Sequence, residues 1–342
     1  TTGTQHIATP GAATLNSAGG YFYAGYGVAG QTLQIDAGIT LQGYGQLTDS
    51  TTASVINFGT ISANTTGQTF TINPDSFTNS GILNVSAGTL SLNTAMTTAQ
   101  LGTVTSSGGA ISLPNTLDNT GSTLDIGSAG IGSALLTLSG RIKGGTLINS
   151  NANTPTLTSS AATLDGVTLG SDLTINGSLF IENGLTLADG ISVNKSNNYW
   201  YFRSGGTQHI ATDGAATINS AGGYFYAGYG VTGQTLQIDS GITVQGYGGI
   251  TDSSVATVVN AGTIRANTAG QSFTINPNGF SNTGTLDVTA GTLSLSTAMT
   301  TAQLGTISSS GGAISLTNVL DNTSDTLDIG SAGFGSAQLT LS

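Results

Sequence analysis

The sequence predicts an all-β fold, a right-handed parallel β-helix (β-solenoid) with coils of about 20–22 residues. Three observations support this class: a long tandem duplication, short strands bounded by turn residues, and an Asn-x-Gly motif that returns at coil-length intervals. No segment shows a convincing helical stripe, so stacked β coils explain the pattern better than helices do.

The duplication is visible in one aromatic stretch. GGYFYAGYG occupies residues 19–27 and returns at residues 222–230, an offset of 203. The same offset aligns residues 3–139, which we call copy 1, with residues 206–342, copy 2, and roughly three-quarters of the aligned positions are identical. We call residues 140–205 the spacer. This pattern indicates a tandem array of one structural unit.

The offset divides the chain into a first tandem β-helical unit, residues 1–203, and a second, truncated unit, residues 204–342. We expect the two to form one continuous solenoid. The chain starts in mid-unit, because Thr1 corresponds to Ser204. We therefore expect it to be a window from a longer array.

Positions that differ between the copies indicate which side chains point inward. A packed core tolerates exchange of one aliphatic residue for another at about 1.5 kcal/mol or less, whereas a new cavity or buried polar group is more destabilising. The aliphatic exchanges, predicted to be inward, are Leu15/Ile218, Leu41/Val244, Leu47/Ile250, Ile56/Val259 and Val104/Ile307. The exchanges predicted to be outward are Phe58/Ala261, Ile82/Thr285 and Leu135/Gln338.

Strand-like segments recur along the chain. They are three to five residues long, alternate polar with apolar residues and are bounded by Gly, Asn, Asp or Ser. Examples are TLQI (32–35), TFTI (69–72), TLSL (89–92), TLDI (123–126) and SLFI (178–181). The best helical candidate, NTAMTTAQLG (93–102), is short and predicts one turn within a loop.

The Asn-x-Gly motif predicts the corners of the coils. NFGTI begins at Asn57, NSGIL begins one coil length later at Asn79, and NTGSTL follows at Asn119. Asn and Gly tolerate the left-handed conformation of a tight corner, and stacked Asn side chains can hydrogen-bond along the axis. The predicted corner residues are Asn57, Gly59, Asn79, Gly81, Asn119, Gly121, Asn260, Gly262, Asn282, Gly284 and Asn322.

Coil length and strand spacing set the expected dimensions. At about 4.8 Å per coil, a unit of roughly ten coils advances about 48 Å. Parallel crossovers are overwhelmingly right-handed, which gives the expected hand of the helix. A closed antiparallel sheet is the alternative fold, but it needs strands of about ten residues and fewer corners.

The corner pattern in NFGTI, NAGTI and NTGTL resembles that of filamentous-haemagglutinin-type β-helical exoproteins. LDNTGSTLDIG and GRIKGGTL also resemble repeats of very long bacterial surface proteins. The resemblance implies a secreted bacterial protein with a right-handed β-helical shaft, used in adhesion, biofilm or surface fibres. The motif is architectural and specifies no active site.

The aromatic residues form a candidate contact strip. Alternation in YFYAGYG predicts Tyr21 and Tyr23 on one face of a strand and Phe22 on the other. The rings either stack structurally, inside the coils or along a wall, or form an exposed strip that meets a sugar ring or a neighbouring rod. The strip comprises Tyr21, Phe22, Tyr23, Tyr26, Tyr44, Tyr199, Trp200, Tyr201, Phe202, Tyr224, Phe225, Tyr226, Tyr229 and Tyr247.

Composition argues against several other functions. Only 6% of residues are charged, the net charge is −11, and the five basic residues include no cluster, so we expect neither nucleic-acid binding nor membrane insertion of this segment. Without cysteine the chain has no disulfides.

We expect no enzymatic activity and no cofactor. Glu182 is the only glutamate, and His6 and His209 are isolated from other histidines. The repeated acids leave Ca²⁺ between coils as an alternative, although the calcium-binding nonapeptide is missing; they are Asp36/Asp239, Asp49/Asp252, Asp118/Asp321 and Asp125/Asp328.

The expected function is structural. The chain is predicted to be a segment of a long extracellular or bacterial cell-surface protein that forms a rod or fibre, with other copies as partners through end-to-end or lateral contacts. The alternative is an adhesin that binds glycans or a host through the aromatic strip.

Overall fold

The computed structural model describes residues 3–127, 130–150, 156–330 and 335–341. It is nearly all β, with 63% strand and 2% helix, and its parallel stacked coils form a β-solenoid of about 14 turns. The predicted fold class is therefore confirmed, while its right hand stays a prediction. The chain divides into two compact units, Thr1–Ala162 and Thr163–Ser342.

Short strands make up the coils. Within the described residues the strands are β1 (Thr4–Ile7), β2 (Ala13–Ala24), β3 (Gln31–Ile35), β4 (Ile39–Asp49), β5 (Ala53–Asn57), β6 (Thr60–Asn73), β7 (Ser76–Asn79), β8 (Ile82–Leu92), β9 (Met96–Thr97), β10 (Thr103–Ser106), β11 (Ala110–Leu113), β12 (Thr116–Asp118), β13 (Thr123–Asp125), β14 (Leu135–Leu138), β15 (Arg141–Lys143), β16 (Thr146–Ile148), β17 (Thr156–Ser159), β18 (Ala162–Leu169), β19 (Leu173–Asn176), β20 (Leu179–Leu187), β21 (Ser192–Lys195), β22 (Trp200–Phe202), β23 (Thr207–Thr212), β24 (Ala216–Ala227), β25 (Thr235–Ile238), β26 (Ile242–Asp252), β27 (Thr257–Asn260), β28 (Thr263–Asn276), β29 (Gly279–Asn282), β30 (Thr285–Leu295), β31 (Met299–Thr300), β32 (Thr306–Ser309), β33 (Ala313–Leu316), β34 (Leu320–Asp321) and β35 (Gln338–Leu341). The helices are α1 (Thr98–Leu101) and α2 (Thr301–Leu304).

In the first unit, β2, β4, β6 and β8 stack in parallel register. Leu41 lies beside Ile61 and Ile61 beside Leu83, so successive coils there have the predicted length. All three side chains are fully buried. The coil from Thr14 to its partner Thr40 is longer, because an extended turn follows β2. Stacked aliphatic side chains thus form the core inside the coils.

The second unit repeats this ladder in β24, β26, β28 and β30. Val244, Ile264 and Leu286 take the inward positions and are fully buried. Upstream of copy 2, the spacer strands β21 and β22 pair with β24 in the same parallel sense. Copy 2 and the spacer residues before it are therefore coils of one ladder.

The structure shows which of the positions that differ between the copies are buried and which are exposed. Leu41/Val244 and Leu47/Ile250 are buried as predicted. All three pairs predicted to be outward lie exposed or half-buried, namely Phe58/Ala261, Ile82/Thr285 and Leu135/Gln338.

Val104 and Ile307 share the inward face, as predicted, because they lie in register with the buried Leu83 and Leu286, although both are half-buried. The inward prediction was wrong for Ile56/Val259, which are half-buried. In β5 the strand alternation points Val55 and Asn57 inward, which turns Ile56 outward. Leu15 is exposed, whereas Ile218 in the second copy is buried.

The two helices are single turns, as the sequence predicts for residues 93–102. Each is closed by a capping box: the Thr97 side chain accepts from the Gln100 amide, and the Gln100 side chain accepts from the Thr97 amide. Thr300 and Gln303 form the same box in copy 2. In the part of the chain that the structure describes, no helix is long and apolar enough to cross a membrane.

The predicted corner asparagines, except Asn322, lie inside the coils and link them. Asn57 is fully buried and donates from Nδ2 to Oδ1 of Asn79 at 2.7 Å. Asn79 in turn donates to the carbonyl of Leu101 at 2.9 Å. Asn260 and Asn282 repeat both bonds in copy 2. Each side chain therefore satisfies backbone or amide groups of the next coil.

Of the two reasons predicted for these corners, hydrogen bonding between stacked Asn side chains is confirmed, whereas the left-handed conformation was wrong for the asparagines and for most of the glycines. Within the described residues, the non-glycine residues with positive φ are Ala161, Asn183 and Ser324, so the corner asparagines are not left-handed. Gly59 and Gly81 also lack a positive φ, and a Cβ on Gly81 would lie 2.0 Å from the carbonyl oxygen of Gly59. Glycine is needed there because neighbouring coils approach too closely for any side chain.

The remaining corner residues differ among themselves. Gly262 and Gly284 repeat the close approach of their counterparts in copy 1. Gly121 alone among the predicted corner glycines has a positive φ, of 70°. Asn119 is fully buried, whereas its counterpart Asn322 is exposed.

Candidate functional site

Aromatic residues of the second unit divide between the inside and the outside of the coils. In β22, Trp200 and Phe202 are fully buried, while Tyr201 between them faces outward. In β24, Phe225 is buried and Tyr226 is half-buried on the other face. Strand alternation causes this split, because successive side chains point to opposite faces. The predicted strip is therefore two sets of rings.

The outward set forms one contiguous group, which we call the outer aromatic cluster. It consists of Phe180, Tyr199, Tyr201, Tyr224, Tyr226 and Tyr229.

Parallel register builds the outer aromatic cluster. Phe180 lies beside Tyr201 and Tyr201 beside Tyr226 on three successive coils. The ring centroids are 5.5 and 5.1 Å apart, and the Tyr201 and Tyr226 rings are stacked. Tyr229 packs 4.4 Å from Tyr201, and Tyr199 packs edge-on 5.7 Å from Tyr226. Such pairs contribute about 0.5–1.5 kcal/mol each.

Burial and the neighbouring tyrosines raise the pKa of Tyr201. The same two causes raise the pKa of Tyr226. Both hydroxyls are therefore neutral at physiological pH and can donate as well as accept hydrogen bonds. The cluster offers apolar ring faces with polar rims.

A charged pair borders the outer aromatic cluster. The Arg203 guanidinium lies 4.1 Å from the centroid of the Phe180 ring. It donates to Glu182 at 2.6 Å and to the Thr163 hydroxyl at 2.9 Å. The ion pair fixes the guanidinium over the ring, a cation–π arrangement.

Sequence reasoning missed Phe180 and the arginine–glutamate pair as parts of this surface. Phe180 lies one coil length before Tyr201, so the period already pointed to it. The ion pair carried the same signal, since Glu182 and Arg203 are also one coil length apart.

The inward set lines the coil interior. Trp200 packs edge-on against Phe225 with centroids 5.4 Å apart. Lys195 points into the same interior, with its side-chain nitrogen 5.1 Å from the Phe225 centroid and bonded to the Gly222 carbonyl. These rings are core residues of the unit, like the neighbouring aliphatic side chains.

Copy 1 carries a more exposed version of the cluster. Tyr21, Tyr23 and Tyr26 form a chain of ring contacts with centroids 5.4 Å apart. Their side chains are 62%, 43% and 76% exposed. Phe22 on the opposite face is half-buried.

Tyr44 and Tyr247 sit apart, over glycine pairs. A Cβ on Gly19 would lie 3.1 Å from the Tyr44 ring, and Gly222 has the same relation to Tyr247. Gly19 has a φ of 105°, and the register of β2 against β4 shifts just after it. The double glycine therefore marks a bulge on which a ring lies.

The repeated histidines are surface residues paired with acids. His209 Nδ1 lies 2.9 Å from Asp239, which also accepts from Gln237. His6 and Asp36 form the equivalent pair at 3.0 Å. Hydrogen bonds from His6 and then Gln34 lower the pKa of Asp36. Among the described residues, no group of three or more His, Cys, Asp or Glu is placed to hold a metal ion.

Comparison with known proteins gives no match to a family model, to a curated protein or to a solved structure.

Proposed function

We propose that the chain is a structural segment of a long tandem-repeat protein of the extracellular space or bacterial cell surface, built like the shaft of filamentous-haemagglutinin-type proteins. One observation carries the proposal: the spacer pairs with the copy on each of its sides. In the first unit β15 and β16 of the spacer continue from β12 and β13 of copy 1. In the second unit β21 and β22 lead into β24 of copy 2.

This pairing gives a repeat array a physical reason to exist. An isolated coil exposes its apolar interior and its unpaired backbone groups on two sides. A neighbouring coil on each side buries the interior and pairs with the backbone groups. Because the spacer strands use the same parallel register as strands within a copy, units can follow one another without a break in the ladder. Stability then grows with the number of units.

Concatenated chains test the proposal. We expect each added 203-residue unit to lengthen particles seen by electron microscopy by about 40 Å, from about 24 residues per turn in the 14-turn solenoid and about 4.8 Å per turn. This is shorter than the advance of about 48 Å expected from the sequence, because many coils are longer than predicted. The midpoint of urea unfolding should also rise with each unit. Particles of constant length, or units that unfold separately, contradict the proposal.

A second candidate is an adhesin that binds glycans. The outer aromatic cluster favours it, because exposed tyrosine rings beside the Arg203–Glu182 pair offer stacking faces and hydrogen-bonding groups together. Replacing Tyr21, Tyr23, Tyr224 and Tyr226 by Ser should abolish binding on a glycan array while circular dichroism stays unchanged. Val255→Ser, at an exposed position outside the cluster, is the matched control. Equal binding by both variants contradicts this candidate.

A further inference from the structure

Two strands of nearly identical sequence have different surroundings. β2 reads ATLNSAGGYFYA and β24 reads ATINSAGGYFYA, so eleven of twelve residues agree. β24 pairs with β26 on one edge and with β21 and β22 on the other. Within the described residues, β2 pairs only with β4. No described strand covers its second edge, which we call the open edge, and Leu15 is 37% exposed where Ile218 is fully buried.

The covering strands in the second unit fit β24 along its length. Val193 lies beside Ile218 and Trp200 beside Phe225, all four inside the coil. Backbone bonds accompany these contacts: the Thr217 amide donates to Ile191 at 3.0 Å, and the Tyr229 amide donates to Phe202 at 2.9 Å. Asn219 donates to Asn194 at 3.0 Å on the outer face.

A groove lies at the same edge in copy 1. Its volume is about 460 Å³, and its walls include Gln5, His6, Tyr23, Tyr26 and Gln31.

The counterparts of two groove residues in copy 2 bind main chain. Gln234, the counterpart of Gln31, donates to the carbonyls of Phe202 at 3.1 Å and Ser204 at 2.6 Å. Gln208, the counterpart of Gln5, accepts from the Gly184 amide at 2.8 Å. Both side chains are almost fully buried there. Of these partners only the Phe202 carbonyl belongs to the segment that covers β24, so Gln31 is the groove residue suited to the backbone of such a segment.

We propose that the open edge of β2 and its groove bind an extended peptide with the chemistry of residues 191–203, ISVNKSNNYWYFR, by strand addition. The occupant places its Val, Trp and Phe side chains toward the interior and its tyrosines on Tyr23 and Tyr26. An extended peptide pairs with the row of backbone groups at their own spacing, and alternate side chains give the specificity. The inference rests on the proposed array and deepens it by naming the segment that covers the start of each copy.

A labelled synthetic peptide of residues 191–203, titrated into the full chain, tests the proposal by fluorescence anisotropy. We expect saturable binding to one site. A peptide with Ser in place of the residues at 200 and 202 should bind at least about tenfold more weakly, because its buried rings are lost. A scrambled peptide should not bind. No saturable binding, or equal binding of all three peptides, overturns the proposal whatever the state of any protein variant.

Thr14→Pro tests the edge itself. In copy 2 the amide of the equivalent Thr217 donates to the covering coil, whereas the neighbouring Ala13 amide of copy 1 donates to Gly38 on the β4 side. Proline at residue 14 thus removes a donor of the open edge alone. We expect binding to weaken at least about tenfold, with unchanged circular dichroism. Thr14→Val keeps the amide and should bind like the native chain.

Equal binding by Thr14→Pro and Thr14→Val, with both folded, also overturns the proposal. The outcome is separable from the test of the array. Concatenated chains that lengthen while the peptide fails to bind leave the structural function standing and remove only the peptide site. If the peptide binds but concatenated chains do not lengthen, the peptide site stands and the proposed structural function is removed.

Discussion

Lys195 lies inside a coil of the second unit, 1% exposed. Burial lowers its pKa to about 7. The unfolded chain exposes this amine to water, where it stays protonated to about pH 10.4. Between these two pH values the unfolded state binds more protons than the folded state, so folding becomes more favourable as the pH rises.

We therefore expect the free energy of unfolding to increase by about 2 kcal/mol between pH 7 and pH 9. Urea unfolding at the two pH values measures it. Lys195→Met keeps the length of the side chain without the titrating group, so its unfolding free energy should change much less over the same interval. Parallel pH profiles for the two proteins would contradict this role of Lys195.

Asn119 and Asn322 are a natural matched pair. Asn119 is fully buried, donates to the Thr146 carbonyl at 3.1 Å and accepts from Thr98 at 2.7 Å. Asn322 is exposed and keeps the equivalent bond from Thr301. Asn119→Ala should lower the free energy of unfolding by about 2 kcal/mol, because it leaves buried groups unpaired, and Asn322→Ala by about 0.5 kcal/mol or less. Equal losses of unfolding free energy in the two variants would show that the buried hydrogen bonds of Asn119 stabilise the protein no more than the exposed bond of Asn322.

Strand β22 separates the two faces of a coil at adjacent positions. Trp200→Ala should destabilise the protein by about 3–5 kcal/mol, because a buried ring leaves a cavity. Tyr201→Ser should reduce stability less, by about 2 kcal/mol, since it loses several surface ring contacts of about 0.5–1.5 kcal/mol each but leaves no buried cavity. Thermal and urea unfolding measure both. Similar losses at the two positions would mean that the outer aromatic cluster is part of the core.

The alternation of side chains along the strands was predicted correctly from the sequence. The predictions that were wrong, for Ile56 and for the corner glycines, have local causes. Tyr21 and Tyr23 lie on the face opposite Phe22, as the alternation predicts. Ile56 was misassigned because an aliphatic exchange is tolerated at a half-buried site as well as in a core. The corner glycines were recognised by their pattern, but the need for Gly81 is a contact with another coil, which spacing along the chain does not show.

At the scale of the molecule, the duplication and the short periodic strands predicted the solenoid, because each copy must build the same coils. The arrangement of the outer aromatic cluster was harder to predict from the sequence. Phe180 joins the outer aromatic cluster through register with Tyr201, and register depends on the length of every turn between them.

Net charge governs association of whole molecules. The chain carries −11 at pH 7 and has an isoelectric point near 4.1. Near that pH the repulsion between molecules falls, and open strand edges pair more readily. We expect light scattering to grow faster at pH 4.1 than at pH 7, and more slowly in Thr14→Pro than in Thr14→Val. Scattering independent of pH would contradict this.

The scarcity of basic side chains has a consequence for digestion. Trypsin cleaves after Lys or Arg, and the chain around such a residue must unfold locally before it can bind in the active site of the protease. Lys195 is buried, while Arg203 and Arg265 are held by Glu182 and Asp287. Lys143 also pairs with an acid, Asp118 at 3.2 Å, but its side chain is 52% exposed, against 30% for Arg203 and 37% for Arg265, and it ends a three-residue strand. We expect the first cut after Lys143, which would release copy 1 as one fragment from an otherwise trypsin-resistant chain.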